Sequence, residues 1–93
     1  MIKVVINACH GGFGLSDEAL KRYVKETNGE AGEYEFEIAR DNPVLIRIVE
    51  EMGNAANGRY SELKIVEIPD DVNWYIEEYD GLEWVAERHR TWN

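Results

Sequence analysis

The segment that most restricts the fold of this chain is a short apolar run followed by a glycine-rich loop. Residues 2–8 are Ile-Lys-Val-Val-Ile-Asn-Ala, a β-branched run whose length is typical of a strand and too short for a helix. Three glycines then fall within four positions, at Gly11, Gly12 and Gly14. Glycine accepts positive φ angles at low steric cost. The sequence therefore predicts a strand over residues 2–8 that ends at this loop.

A helix is predicted directly after the loop. Ser16 is a candidate N-cap, and Asp17 and Glu18 follow in the first turn, where the helix dipole favours acidic side chains. Apolar residues then recur at spacings of three and four as far as Thr27, and Asn-Gly at residues 28–29 is a helix-ending signal. The order is therefore strand, glycine loop and helix.

The middle of the chain carries the signals of two strands and a second helix. Strict alternation over residues 34–38 predicts a strand with one buried face. Asn42 and Pro43 mark a helix start, and Gly53 marks its end. After a polar loop, residues 63–68 form another apolar-rich stretch, which predicts a strand.

The last third of the chain allows two interpretations. Residues 74–79 alternate like a strand, and Asp80-Gly81 follows. An Asp-Gly pair between alternating runs favours a hairpin with a strand from Leu82 onward. Alternatively, Asp80 caps a helix whose apolar face starts at Leu82 and includes His89. We favour the hairpin. The order β-α-β-α-β-β-β then predicts a single α+β domain over residues 1–93, with two helices on one face of a small mixed β-sheet.

Composition excludes several classes of protein. The 93 residues include 19 acidic and 10 basic side chains, for a net charge of −9. A sequence pI near 4.6 argues against direct DNA or RNA binding, which depends on neutralising phosphates. Cys9 is the only cysteine, so no intrachain disulfide forms. No apolar run approaches the ~18 residues that cross a bilayer. We expect a soluble cytoplasmic protein with no membrane association.

The glycine loop is a candidate anion site. A strand that delivers a glycine-rich loop to a helix start leaves backbone N–H groups available for phosphate or carboxylate. The Ser16 hydroxyl adds a possible donor. The spacing matches neither a dinucleotide fingerprint nor a P-loop, and no lysine follows the glycines. The alternative is a tight turn that only joins two elements, with Asp17 and Glu18 repelling anions.

Cys9 and His10 raise the question of catalysis or metal binding. Neighbours on an extended backbone point to opposite faces, so they do not readily hydrogen-bond to each other. Zinc needs three or four ligands, and His89 is the only other histidine. We therefore expect no metal and no cofactor. Cys9 is better explained as a small buried residue, and His10 as a ligand contact or a pocket cap.

Basic residues are scarce, so their positions are informative. Arg59 follows the turn signal Asn57-Gly58, and loops commonly carry binding sites. Arg90 lies close to Trp92, and an arginine beside an aromatic ring can stack on a base and contact a phosphate. The alternative is that such arginines are internal salt-bridge partners. The candidate ligand-binding residues are His10, Gly11, Gly12, Phe13, Gly14, Ser16, Asn57, Arg59, His89, Arg90 and Trp92.

Two blocks of the sequence resemble a family of small bacteriophage and prophage proteins. The first is Asn-Ala-Cys-His-Gly-Gly-Phe-Gly-Leu-Ser at residues 7–16. The second begins with Glu-Tyr-Asp-Gly at residues 78–81 and ends with His-Arg-Thr-Trp at residues 89–92. Family members are often longer between the first helix and the second strand. The resemblance implies a phage gene and supplies no mechanism.

The phage context and the loop together suggest a function. Small acidic phage proteins are often counter-defence factors that act in the cytoplasm of the host bacterium. We expect a homo-oligomeric binding protein that sequesters a phosphate-containing nucleotide immune signal through the glycine loop. One alternative is an acidic inhibitor or nucleic-acid mimic that acts on a host defence protein. Another is a small hydrolase that uses Cys9 or His10.

Overall fold

Two helices and four strands make up the residues that this computed structural model describes, 1–27 and 38–88. The α+β class predicted from the sequence is confirmed. The predicted helix end at residues 28–29 and most of the predicted strand at residues 34–38 lie outside the described residues. The elements are β1 (Ile2–Asn7), α1 (Asp17–Thr27), α2 (Pro43–Met52), a single 3-10 turn (Gly53–Ala56), β2 (Leu63–Ile68), β3 (Trp74–Tyr79) and β4 (Leu82–Glu87).

The four strands pair as two antiparallel sheets of two strands each. Strands β1 and β2 run from the pair Ile2–Ile68 to the pair Asn7–Leu63. Strands β3 and β4 form the second sheet. On the side of β1 away from β2, the Val5 amide donates to the carbonyl oxygen of Arg40 at 2.8 Å. A parallel pairing, as in the predicted mixed sheet, is not present among the described strands.

Both helices start where the sequence predicts. The Ser16 Oγ accepts a hydrogen bond from the Ala19 amide at 3.1 Å, and the Asn42 Oδ1 accepts one from the Val44 amide at 2.8 Å. Gly53 ends α2 with a φ of 58°, as its sequence position predicts. At 11 and 10 residues, neither of the helices that the structure describes is long enough to cross a membrane.

The Asp80-Gly81 turn confirms the hairpin interpretation of the last third of the chain. Asp80 has a φ of 50° and Gly81 a φ of 89°. Two central residues with positive φ suit a two-residue hairpin, because the twist of such a turn matches that of the strands. Tyr79 consequently pairs with Leu82, and residues 82–87 form a strand and not a helix.

The main apolar core lies between the two helices and the β1–β2 sheet. Its fully buried side chains include Val5 of β1, Ala19 of α1, and Leu45 and Ile48 of α2. Leu63 and Ile65 of β2 pack against this cluster. The core therefore fixes the end of β1 relative to the start of α1, and the glycine loop spans the gap between them.

Candidate functional site

A surface cleft of about 270 Å³ lies between the glycine loop and the loop that precedes β2. It is lined by residues 11–15 and Asp17 on one side and by residues 58–61 on the other. Five of the candidates chosen from the sequence share this cleft: Gly11, Gly12, Phe13, Gly14 and Arg59. The structure thus brings the two segments that the sequence analysis singled out into one site.

Hydrogen bonds join the two walls of the cleft. Leu15 and Asn57 form an isolated antiparallel bridge. The Gly58 amide donates to the carbonyl oxygen of Gly14 at 3.2 Å. The Ser61 hydroxyl donates to the same carbonyl at 2.7 Å and accepts from the Gly58 amide at 2.7 Å. These contacts hold the glycine loop against a segment more than 40 residues away in sequence.

Two of the glycines at the cleft are required for close packing of the backbone. A Cβ at Gly11 would lie 1.7 Å from the Tyr60 carbonyl oxygen, and one at Gly58 would lie 2.9 Å from the Gly14 carbonyl carbon. Gly12 differs, because it has a φ of 91° and no atom lies within 4 Å of the position that a Cβ would take. Close packing therefore explains why residues 11 and 58 are glycines, whereas the positive φ explains the glycine at position 12.

Several backbone N–H groups of the glycine loop have no partner within the described part of the protein. Among the described residues, the amides of Gly11, Phe13 and Gly14 donate no hydrogen bond to the protein. Backbone N–H groups gathered in a loop are a common means of binding anions. The anion site itself stays a prediction.

The cleft carries one positive and one negative side chain. Arg59 is exposed, and its Cζ lies 5.5 Å from the ring centroid of Tyr60. Asp17, the first residue of α1, lines the same cleft. Within residues 1–27 and 38–88, neither side chain has a salt-bridge partner. The cleft therefore combines one charge of each sign, and each of the two lacks an ion-pair partner among the described residues.

Three other predicted residues lie beside the cleft and have partners in the protein. The His10 Nδ1 is 3.3 Å from the Asp80 carbonyl oxygen. Ser16 caps α1, and the Asn57 Oδ1 accepts from the Leu63 amide at 2.9 Å. The remaining candidates, His89, Arg90 and Trp92, lie outside the described residues.

Cys9 is half-buried, not buried as the sequence predicts, and its thiol contacts other residues of the protein. Its Sγ lies 3.2 Å from the carbonyl oxygen of Tyr60 and 3.4 Å from the Asn7 Oδ1, and both oxygens can accept from its single S–H. The side chain does not line the cleft. In the described part of the chain, no three His, Cys, Asp or Glu side chains are grouped so that they could hold a metal ion.

Asn7 links the glycine loop to two distant segments, a role the sequence analysis missed. The residue is fully buried. Its Nδ2 donates to the carbonyl oxygens of Cys9 and Gly81, both at 2.8 Å, and its Oδ1 accepts from the Glu62 amide at 2.8 Å. No sequence signal identifies this role, because two of these partners are 55 and 74 positions away.

A buried salt bridge supports the same region. Glu83 is only 8% exposed, and its Oε2 accepts from the Arg40 Nη2 at 2.8 Å while its Oε1 accepts from the Asn7 amide at 3.0 Å. The Arg40 guanidinium also covers one face of Phe13, with its Cζ 3.5 Å from the ring centroid. Arg40 is thus an internal salt-bridge partner, one of the two roles that the sequence allows for its arginines.

Comparison with known proteins identifies no relative. No family model, curated protein or solved structure matches the chain. The resemblance to bacteriophage proteins stays a prediction, and the chemistry of the cleft provides the basis for a functional proposal.

Proposed function

We propose that this chain binds a phosphate-containing small molecule, such as a nucleotide, in the glycine-lined cleft. The observation that carries the proposal is the position of Arg59. Its guanidinium shares the cleft with unbonded loop amides, and it has no carboxylate partner among the described residues. A guanidinium presents several N–H donors in a planar fork that matches phosphate, and backbone amides add further donors.

The proposed mode of action is capture without chemical change. Sequestration depends on affinity and slow release, and it needs no stabilisation of a transition state. Cys9 and His10, the two residues suggested for catalysis, are not among the residues that line the cleft. Their positions favour binding over turnover.

The proposed biological use is counter-defence. The resemblance of two sequence blocks to bacteriophage proteins supports the capture of a nucleotide immune signal in the cytoplasm of a host bacterium. A homo-oligomer, most simply a two-fold dimer, would add a second wall to the open cleft. This use and the oligomeric state are parts of the same proposal.

The Arg59→Ala variant tests the site. We expect it to weaken binding of a phosphate ligand about 10- to 100-fold, because a hydrogen bond to a charged group contributes roughly 1.5–3 kcal/mol. The ligands are first screened by thermal shift with inorganic phosphate, AMP, ATP, NAD, ADP-ribose and cyclic di- and trinucleotides. A ligand at 100 times its Kd adds about 2.7 kcal/mol of stability, which raises the Tm of a domain this size by roughly 10 °C or more.

The matched control is Lys64→Ala, which removes one positive charge from an exposed position of β2 outside the cleft. We expect this variant to bind like the wild type. Equal losses in both variants would indicate a general charge effect and contradict the proposed site. A ligand recovered intact after denaturation supports capture, whereas a ligand recovered as product would contradict it. A screen with no shift for any ligand would overturn the proposal.

A further inference from the structure

The carboxylate of Asp17 is the feature of the cleft that phosphate binding leaves unexplained. Asp17 is exposed and lines the cleft with Arg59. No cation within the described ranges lies at salt-bridge distance from it. An ionised carboxylate only accepts hydrogen bonds, so it repels phosphate and attracts hydroxyl or amino groups. A ligand that suits this cleft must therefore carry donors as well as an anion.

The charge balance of the cleft limits how many phosphates the ligand carries. Among the described lining residues, Arg59 is the one cation and Asp17 the one anion, so their formal charges cancel. The whole chain adds a net charge of −9, which repels polyanions at long range. Arg59 offsets about half of the charge of roughly −2 on a phosphate monoester, whereas each additional phosphate meets no further positive side chain among the described lining residues.

The volume and the lining residues of the cleft also favour a small ligand with a single phosphate. Its volume of about 270 Å³ lies just below the roughly 300–1,000 Å³ range of typical small-molecule pockets. Tyr60 lines it and is 66% exposed, so its ring can receive a planar group. Aromatic rings commonly stack on nucleobases. One base, one sugar and one phosphate suit these dimensions better than a dinucleotide does.

We infer that the cleft selects a ribonucleoside monophosphate, with Arg59 on the phosphate, Tyr60 against the base and Asp17 accepting hydrogen bonds from the ribose hydroxyls. The inference rests on the proposed function, because it specifies the ligand of the same cleft. The role given to Asp17 has a chemical parallel, since an acidic side chain also binds the ribose 2′-hydroxyl in dinucleotide-binding folds. Asp17 is then the residue that determines specificity.

The Asp17→Asn variant tests this role by calorimetric titration. The probes are the tightest-binding of AMP, GMP, CMP and UMP, its 2′,3′-dideoxy counterpart and its triphosphate. For the wild-type protein we expect the dideoxy form to bind at least about tenfold more weakly than the monophosphate, the effect of one hydrogen bond to a charged group. We expect the triphosphate to bind at least about tenfold more weakly as well, because its additional negative charge is repelled by the Asp17 carboxylate. In Asp17→Asn, the monophosphate should bind less than about threefold more tightly than the dideoxy form and less than about threefold more tightly than the triphosphate.

The control is Glu18→Gln, which makes the same change of charge at the next position of the first turn of α1, outside the cleft lining. It should keep the wild-type preferences. If Asp17→Asn also keeps them while Arg59→Ala still weakens binding, the role of Asp17 is overturned and the proposed function stands. The same holds if a cyclic dinucleotide or ATP binds more tightly than every monophosphate in an Arg59-dependent way. If no probe depends on Arg59, the proposed function fails as well.

Discussion

Replacing Glu83 with glutamine is expected to lower the free energy of unfolding by about 3 kcal/mol or more, since breaking a buried ion pair by removing one member is strongly destabilising. Glu83 is 8% exposed and the Arg40 side chain 12% exposed. Glutamine has nearly the same shape, so the loss would reflect charge and hydrogen bonding rather than a cavity. The Glu83 carboxylate also accepts a hydrogen bond from the backbone amide of Asn7. The substitution therefore also weakens a contact at the end of β1, just before the glycine loop.

Urea denaturation followed by tryptophan fluorescence measures this effect. The matched control is Glu87→Gln, which makes the same substitution at an exposed position of the same strand. Its free energy of unfolding should stay within about 0.5 kcal/mol of the wild-type value. Similar values for the two variants would show that the Arg40–Glu83 pair contributes little to stability.

Replacing Gly81 with alanine is expected to destabilise the protein by about 2–5 kcal/mol, the sum of left-handed strain and overpacking. The residue has a φ of 89°, and a Cβ there would lie 2.4 Å from the His10 carbonyl oxygen and 2.6 Å from the Gly12 nitrogen. Both contacts are with backbone, which cannot move aside as a flexible side chain can. The hairpin turn would have to separate from the glycine loop.

Gly53→Ala is the matched control for Gly81→Ala. Gly53 also has a positive φ, of 58°, but no atom lies within 4 Å of its Cβ position. With a ψ of −131°, Gly53 lies close to a region that is essentially restricted to glycine, so this variant should show the strain of the backbone conformation alone, about 1–3 kcal/mol. Thermal and urea unfolding give the loss of stability in each variant. The difference between the two losses separates the cost of backbone strain from the cost of the close contacts at Gly81. Equal decreases in the free energy of unfolding would mean that the hairpin turn is not in close contact with the glycine loop in solution.

Local signals in the sequence predict most of the described secondary structure. The caps Ser16 and Asn42 act within three residues of their own positions, so their effect can be recognised without knowledge of the fold. The Asp80-Gly81 turn is equally local, because its two positive φ angles set the hairpin register. The 3-10 turn at Gly53–Ala56 falls where the sequence predicts a polar loop, since a short helix that continues past a cap carries no periodic pattern.

The candidate site is predictable in part. The glycine loop and Arg59 each have a sequence signal, and the structure places them in one cleft. From the sequence, Asp17 is only a helix-dipole residue that repels anions, and Tyr60 has no signal at all. The proximity of Asp17 to Arg59 depends on the bridge between Leu15 and Asn57, which joins segments that no local pattern connects.

The sequence by itself determined most of the described elements and the conformation of the Asp80-Gly81 turn, because propensity, capping and positive φ depend on a few neighbouring residues. The tertiary structure alone decided which loops share the cleft and what supports them. Asn7 looks like an ordinary strand residue in the sequence, yet its buried amide joins residues 9, 62 and 81. Burial is the physical reason, since a buried polar group must find its partners wherever the packed chain places them.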